Sequence, residues 1–169
     1  MISDKMQKNL NDQINREMYS AFLYLSMATY ANIKGFKGVA NWFKVQYEEE
    51  MMHARKIYDY VEEQSKRVLL GAIDAPDTEF CSINDLFERA LTHEKKVTGY
   101  IADLMRLARE ESDFATEIFL QWFVSEQVEE ESGVTDILDQ LKIAGNEGQA
   151  LMMLDKELGT RTFQAPAVE

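Results

Sequence analysis

Apolar positions recur along most of the chain at alternating spacings of four and three residues, the period of one helical face. Four long segments carry this pattern. The first runs from about Asp4 to Asn32 and stops near Lys34-Gly35-Phe36-Lys37-Gly38. The second covers about Val39 to Lys66. The third begins at Ser82-Ile83-Asn84-Asp85, which has the form of a capping box, and ends near Glu111. The fourth begins at Ser112-Asp113 and ends at Ala144-Gly145, where glycine is a good stop signal. A short fifth segment, about 149–158, follows Gly148, and the tail 159–169, which contains Pro166, reads as irregular.

The connections predict the topology. Segments one and two are joined by a few residues, as are three and four, so each pair should be antiparallel. Arg67 to Cys81 separate segments two and three. A helix of ~28 residues is ~42 Å long, and ~15 extended residues reach ~50 Å. The linker is therefore long enough to run the length of a bundle and make segments two and three parallel. A floppy insertion is the other reading of the same stretch. The expected fold is all-α: one domain over 1–169, with a four-helix bundle over about 4–144, one long crossover and a short C-terminal helix.

Drawing one stripe along each segment locates the unusual positions. Segment one reads Leu10, Ile14, Glu17, Ala21, Tyr24, Ala28, Ala31. Segment two reads Val39, Phe43, Gln46, Glu50, His53, Ile57, Tyr60. Segment three reads Ile83, Phe87, Ala90, Glu94, Val97, Ile101, Leu104, Ala108. Segment four reads Thr116, Leu120, Phe123, Gln127, Glu130, Val134, Ile137, Leu141. Each stripe is broken by acidic or metal-capable groups near its middle. In helices of similar length those breaks fall at one level, so Glu17, Glu50, His53, Glu94, Gln127 and Glu130 should converge inside the bundle.

A single glutamate on an apolar stripe is usually a stripe drawn one position off, or the partner of a buried arginine. Segment one does offer a rival apolar line through Met18, Phe22 and Leu25, which would leave Glu17 at an edge. Yet no Lys or Arg stands on any of the four stripes. Four interior carboxylates without a cation would each carry a desolvation cost of about several kcal/mol. They must protonate or bind metal. Glu50 and His53, three apart, project from one helix face toward one ion. A Glu from each of two helices with a Glu-x-x-His element is the di-iron carboxylate pattern. Oxygen-rich ligation with one imidazole suits iron or manganese and admits zinc.

Composition narrows the setting. The 169 residues carry 30 acidic against 18 basic side chains, a formal charge of -12, and are 46% hydrophobic. That balance disfavours nucleic acid and anionic membrane surfaces as partners. Cys81 is the only cysteine, which rules out an intrachain disulfide, a thiolate cage and an iron–sulfur cluster. Met1-Ile2-Ser3-Asp4-Lys5 leads into polar helical sequence with no apolar signal core, and no apolar stretch is long enough to span a bilayer. A soluble, cytoplasmic protein is expected.

With those residues in view, the chain resembles the non-haem ferritins of bacteria and archaea over nearly its whole length. The most specific stretches are Tyr47-Glu48-Glu49-Glu50-Met51-Met52-His53-Ala54 and Trp122-Phe123-Val124-Ser125-Glu126-Gln127-Val128-Glu129-Glu130-Glu131. The resemblance implies Glu17, Glu50 and His53 as ligands of a first iron. Glu50 would bridge to a second, which Glu94 and Glu130 complete. Gln127 matches a hydrogen-bonding residue beside the pair. Glu49, Glu126, Glu129 and Glu130 are similar to a third, weaker iron site. Tyr24 resembles the tyrosine beside the ferroxidase centre, with an aromatic core filler as its plain alternative. Oxidation of Fe(II) by O2 or H2O2, storage of Fe(III) as a hydrated oxide, and a hollow homo-oligomeric 24-mer lined at its four-fold axes by the fifth helix are further implications.

The departures from related patterns also inform. Gln127-x-x-Glu130 stands where a symmetric di-iron protein has a second Glu-x-x-His, which argues for an asymmetric centre. One cysteine cannot build the iron domain of a rubrerythrin-like peroxidase. Met51 follows Glu50 as a haem-binding methionine would, but reads better as helix packing, so haem is not expected. His93, about 100° around the helix from Glu94, reads as a supporting or surface group. The competing classes are a soluble di-iron oxidase or peroxidase without mineral storage, and a non-catalytic helical interaction protein.

Overall fold

The computed structural model describes residues 1–145 and 148–164. It contains α1 (Asp4–Ile33), α2 (Lys37–Glu63), α3 (Ile83–Glu110), α4 (Phe114–Ala144) and α5 (Gly148–Leu158), with no strand among the described residues. The outermost tail, including Pro166, lies outside them.

Short polar side chains start three of the long helices. Ser3 accepts from the Met6 N–H, Ser82 from Asp85, and Asp113 from Thr116, each satisfying an N–H that the helix leaves unpaired. The Asp85 carboxylate in turn accepts from the Cys81 N–H at 2.8 Å, so the expected cap at 82–85 forms. α2 starts two residues earlier than its stripe. The reason is tertiary: the Asp155 carboxylate of α5 accepts from the Val39 N–H at 2.9 Å and so caps α2 from another element. Gly38 permits that docking, because a Cβ there would lie 1.5 Å from the Asp155 carbonyl oxygen.

The long connection is not a floppy insertion. It runs along α1 and is tied to it at successive turns. Gln7 donates to the Arg67 carbonyl at 2.8 Å. Asn11 accepts from the Leu69 N–H at 3.3 Å, and Asn15 pairs with both Gly71 and Ala72. Farther along, Ser26 donates to the Asp77 carbonyl at 2.6 Å. These contacts carry the chain from one end of the bundle to the other, so α2 and α3 run parallel, as the linker length implied.

Of the four drawn stripes, every residue except the half-buried Ile83 is buried. The rival line in α1 faces outward, with Phe22 43% and Leu25 39% exposed. The apolar interior falls into two clusters. One gathers Tyr24, Phe43, Phe87 and Val134; the other gathers Ile14, Ile57, Ile101, Leu120 and Phe123. Between them lies one buried polar layer.

Candidate metal centre

The polar layer is built by the middle turns of α1 to α4. Glu17, Gln46, Glu50, His53, Glu94, Gln127 and Glu130 are all buried there, and no Lys or Arg is among the buried residues described. Glu17, Glu50 and His53 each offer a ligand atom within 4.8 Å of the others. A second grouping of the same kind joins His53 to Glu126 and Glu130.

His53 connects the two. Its Nδ1 lies 3.4 Å from Glu50 Oε2 and its Nε2 lies 3.7 Å from Glu126 Oε1. Trp122 and Phe123 hold the ring edge-on, at centroid distances of 5.4 and 6.1 Å. Metal-ligating histidines commonly place their second nitrogen toward a carboxylate in this way. Burial alone would push the His53 pKa down, but the nearby Glu126 and Glu50 carboxylates outweigh it and raise it well above the ordinary value.

Glu94 belongs to neither grouping; other side chains engage it. The Tyr24 hydroxyl donates to its Oε1, and Gln127 Nε2 donates to its Oε2 at 3.1 Å. Burial, reinforced by the charge of Glu94, raises the Tyr24 pKa well above its usual value, so the phenol keeps its proton as a donor. Gln46 Nε2 donates to Glu130 Oε2 at 2.8 Å, and Gln13 Nε2 donates to Glu17 Oε1 at 2.7 Å.

These carboxylates resist ionisation. Burial raises Glu94 to about 7. Burial and the neighbouring Glu94 charge raise Glu130 to about 8. Glu50 is also pushed well above the carboxylate range, mainly by burial. Moreover, Glu50 Oε2, His53 Nε2 and Gln46 Oε1 are buried without a hydrogen-bond partner among the described residues. Leaving such atoms unpaired costs about 1–3 kcal/mol each. A divalent cation would relieve both the protonation and the unsatisfied atoms, and the donor set of carboxylate oxygens with one imidazole fits such an ion.

Glu49, Glu126, Glu129 and Glu130 line an adjoining cleft of about 250 Å³ together with Trp42, Gly133 and Arg161, and Glu126 and Glu130 are shared with the second grouping. His93 belongs to neither grouping and shares a hydrogen bond with Ser20 Oγ at 2.7 Å. Burial holds its pKa down at about 4. Three contributors had no role assigned from sequence. Gln13 and Gln46 each lie one helical turn before a glutamate, at Glu17 and Glu50, a spacing visible in the chain. Arg161 carried no local signal.

Parallel central helices, one long crossover and a buried carboxylate–imidazole layer define a four-helix bundle that could hold metal in its core. The ferritin-like domain family matches residues 7–144, and the chain belongs to that family. It is 39% identical over 163 residues to the bacterial non-heme ferritin of Staphylococcus aureus, covering 96% of this chain and 98% of that one. A probable bacterial non-heme ferritin-like protein of Haemophilus influenzae is 40% identical over 165 residues, 98% of this chain and all of its own. Among solved structures, an engineered closed form of the Archaeoglobus fulgidus ferritin superposes with a TM-score of 0.96 at 49% identity, covering 97% of this chain and all of that one. The open pore ferritin of the same archaeon superposes at 0.95, also at 49% identity, over 96% of this chain and all of its own. Among the described residues, no helix is long and apolar enough to cross a membrane.

Proposed function

We propose that the chain is an iron-storage ferritin subunit with ferroxidase activity. The observation that carries this reading is the buried Glu17–Glu50–His53 grouping, which holds unpartnered Glu50 and His53 atoms, with no Lys or Arg buried among the described residues. In this reading Glu17, Glu50 and His53 bind one ferrous ion, while Glu50, Glu94 and Glu130 bind a second. Each ion gives up one electron, and dioxygen or peroxide accepts the pair. The protein supplies placement and negative charge, which favours the ferric state. Tyr24 and Gln127 orient Glu94 through the hydrogen bonds described above.

Metal competes with protons at this layer, because Glu94, Glu130 and His53 all have raised pKa values in the fold. The outer glutamates 49, 126, 129 and 130 form a third, weaker site on the route by which oxidised iron leaves. Storage as hydrated ferric oxide needs an enclosed volume, for which a homo-oligomeric 24-mer in the cytoplasm is the assembly we infer. The likeness to the closed and open pore forms of the Archaeoglobus fulgidus ferritin supports an oligomeric shell. A di-iron oxidase or peroxidase without storage is the alternative.

The test is to add ferrous iron anaerobically to the metal-free protein and then admit oxygen, recording absorbance and particle size. Rapid oxidation in a shell-sized particle that retains iron well beyond its binding sites supports the reading. Oxidation that stops at two irons on a dimer favours the oxidase, and absence of binding overturns both.

A further inference from the structure

The outer acidic cleft already contains a cation supplied by the chain. α5 docks on α2 through Asp155 and Gly38. After the turn at Gly159–Thr160, Asn41 Nδ2 donates to the Arg161 carbonyl at 2.9 Å. With its backbone held there, Arg161 directs its guanidinium into the cleft. Nη2 donates to Glu49 Oε2 at 2.6 Å, and the guanidinium carbon lies 4.7 Å from the centre of the Trp42 ring. Arg161 is the only Lys or Arg among the lining residues, which include Glu49, Glu126, Glu129 and Glu130. Its Nη1 is buried without a hydrogen-bond partner among the described residues, so the fork is half used.

We propose that Arg161 is a built-in counter-cation of this cleft, that a metal ion entering among Glu49, Glu126, Glu129 and Glu130 competes with its guanidinium, and that filling the cleft releases the 161–164 segment. The inference rests on the functional reading above, in which these four glutamates form the third site. A guanidinium keeps its charge in proteins, so Arg161 yields to an incoming ion only by moving, and the outer cleft fills with motion of the tail. This makes Arg161 a positioning residue that keeps the outer site weak and ties its occupancy to the C-terminal segment.

The test is calorimetric titration of the metal-free, full-length, assembled protein with Zn2+, which is redox-inert, for wild type, Arg161→Gln and Arg161→Lys. Removing a charge this close to the ion should tighten the outer class of sites by about tenfold or more in Arg161→Gln. Arg161→Lys should behave as wild type, and the inner sites should be unchanged in both. In wild type, hydrogen exchange of residues 160–164 should quicken when the outer sites fill and stay constant while the inner ones do. An outer affinity that is unchanged or weaker in Arg161→Gln, as a mere tail anchor would produce, overturns the proposal, as does tail exchange indifferent to outer loading. If the inner sites take Zn2+ and no outer class appears in any variant, this proposal alone fails. If no Zn2+ binds at all, the functional reading fails with it.

Discussion

The Tyr24 hydroxyl donates to Glu94 across the space between α1 and α3, joining an aromatic of one core cluster to a carboxylate of the polar layer. Tyr24 also stacks on Phe43 at a centroid distance of 5.9 Å, so the same ring is fixed by packing at its body and by charge at its tip. Glu94 therefore has one oxygen held from α1 and the other from α4 through Gln127.

Tyr24→Phe should keep the packing and lose the donor. An unsatisfied buried carboxylate oxygen costs about 1–3 kcal/mol, so the metal-free variant should unfold at lower denaturant than wild type, with an unchanged slope. Ferrous binding should persist and oxidation should slow, as followed by stopped-flow absorbance. Wild-type stability together with a wild-type rate would remove Tyr24 from the proposed centre and leave it a core filler.

His53→Ala and Glu94→Ala separate the two proposed iron positions. The first should impair the Glu17–Glu50–His53 position, and the second should weaken the other and slow oxidation while assembly stays intact. Anaerobic titration with Fe(II) counts the sites. Two normally filled positions in His53→Ala, or undiminished rapid oxidation in Glu94→Ala, would reject the corresponding role.

The metal-free protein should lose stability as pH rises. Glu94 at about 7 and Glu130 at about 8 lie above the ordinary 4.5 of a carboxyl in the open chain. Between those values the folded chain binds more protons than the unfolded chain, so the unfolding free energy falls with pH. Their contribution is complete below 4.5 and is lost as pH passes through 7 to 8. His53, also raised, has the same sign. Thermal unfolding of the metal-free protein should show a lower Tm at about pH 8.5 than at about pH 6. Glu130→Gln should flatten that fall, and divalent metal should reverse it. A Tm that rises across the window would contradict the protonation assigned here.

Gly38→Ala should undo the docking of α5. The added methyl collides with the Asp155 carbonyl, which is backbone and cannot swing aside. Overpacking of this kind costs about 1–3 kcal/mol. Faster hydrogen exchange at Val39 and through α5, with α1, α3 and α4 unaffected, is the expected pattern. Unchanged protection of α5 would show that the contact is not what holds it.

The four long helices and their inward faces were legible because each rests on local information. A helical stripe records which side will be buried, and the drawn residues of the fourth segment are the same eight that α4 buries. The mid-stripe position of Glu17, Glu50, Glu94 and Glu130 showed that polar groups would share one level. Length alone bounded the crossover, but the choice between a tethered span and a loose insertion lay with Asn11, Asn15 and Ser26, whose partners are more than fifty residues away.

What the chain determined by itself is therefore the set of helices, the side each one buries and the residue types inside, all functions of spacing and side-chain chemistry. Tertiary structure decided which atoms meet. It set His53 between Glu50 and Glu126, gave Glu94 to Tyr24 and Gln127, capped α2 with Asp155 and placed Arg161 against Glu49. Periodicity fixes a residue's angle about its own helix axis. It carries no information on the rotation and height of one helix against another, or on where a tail returns, because those follow from packing the whole chain at once.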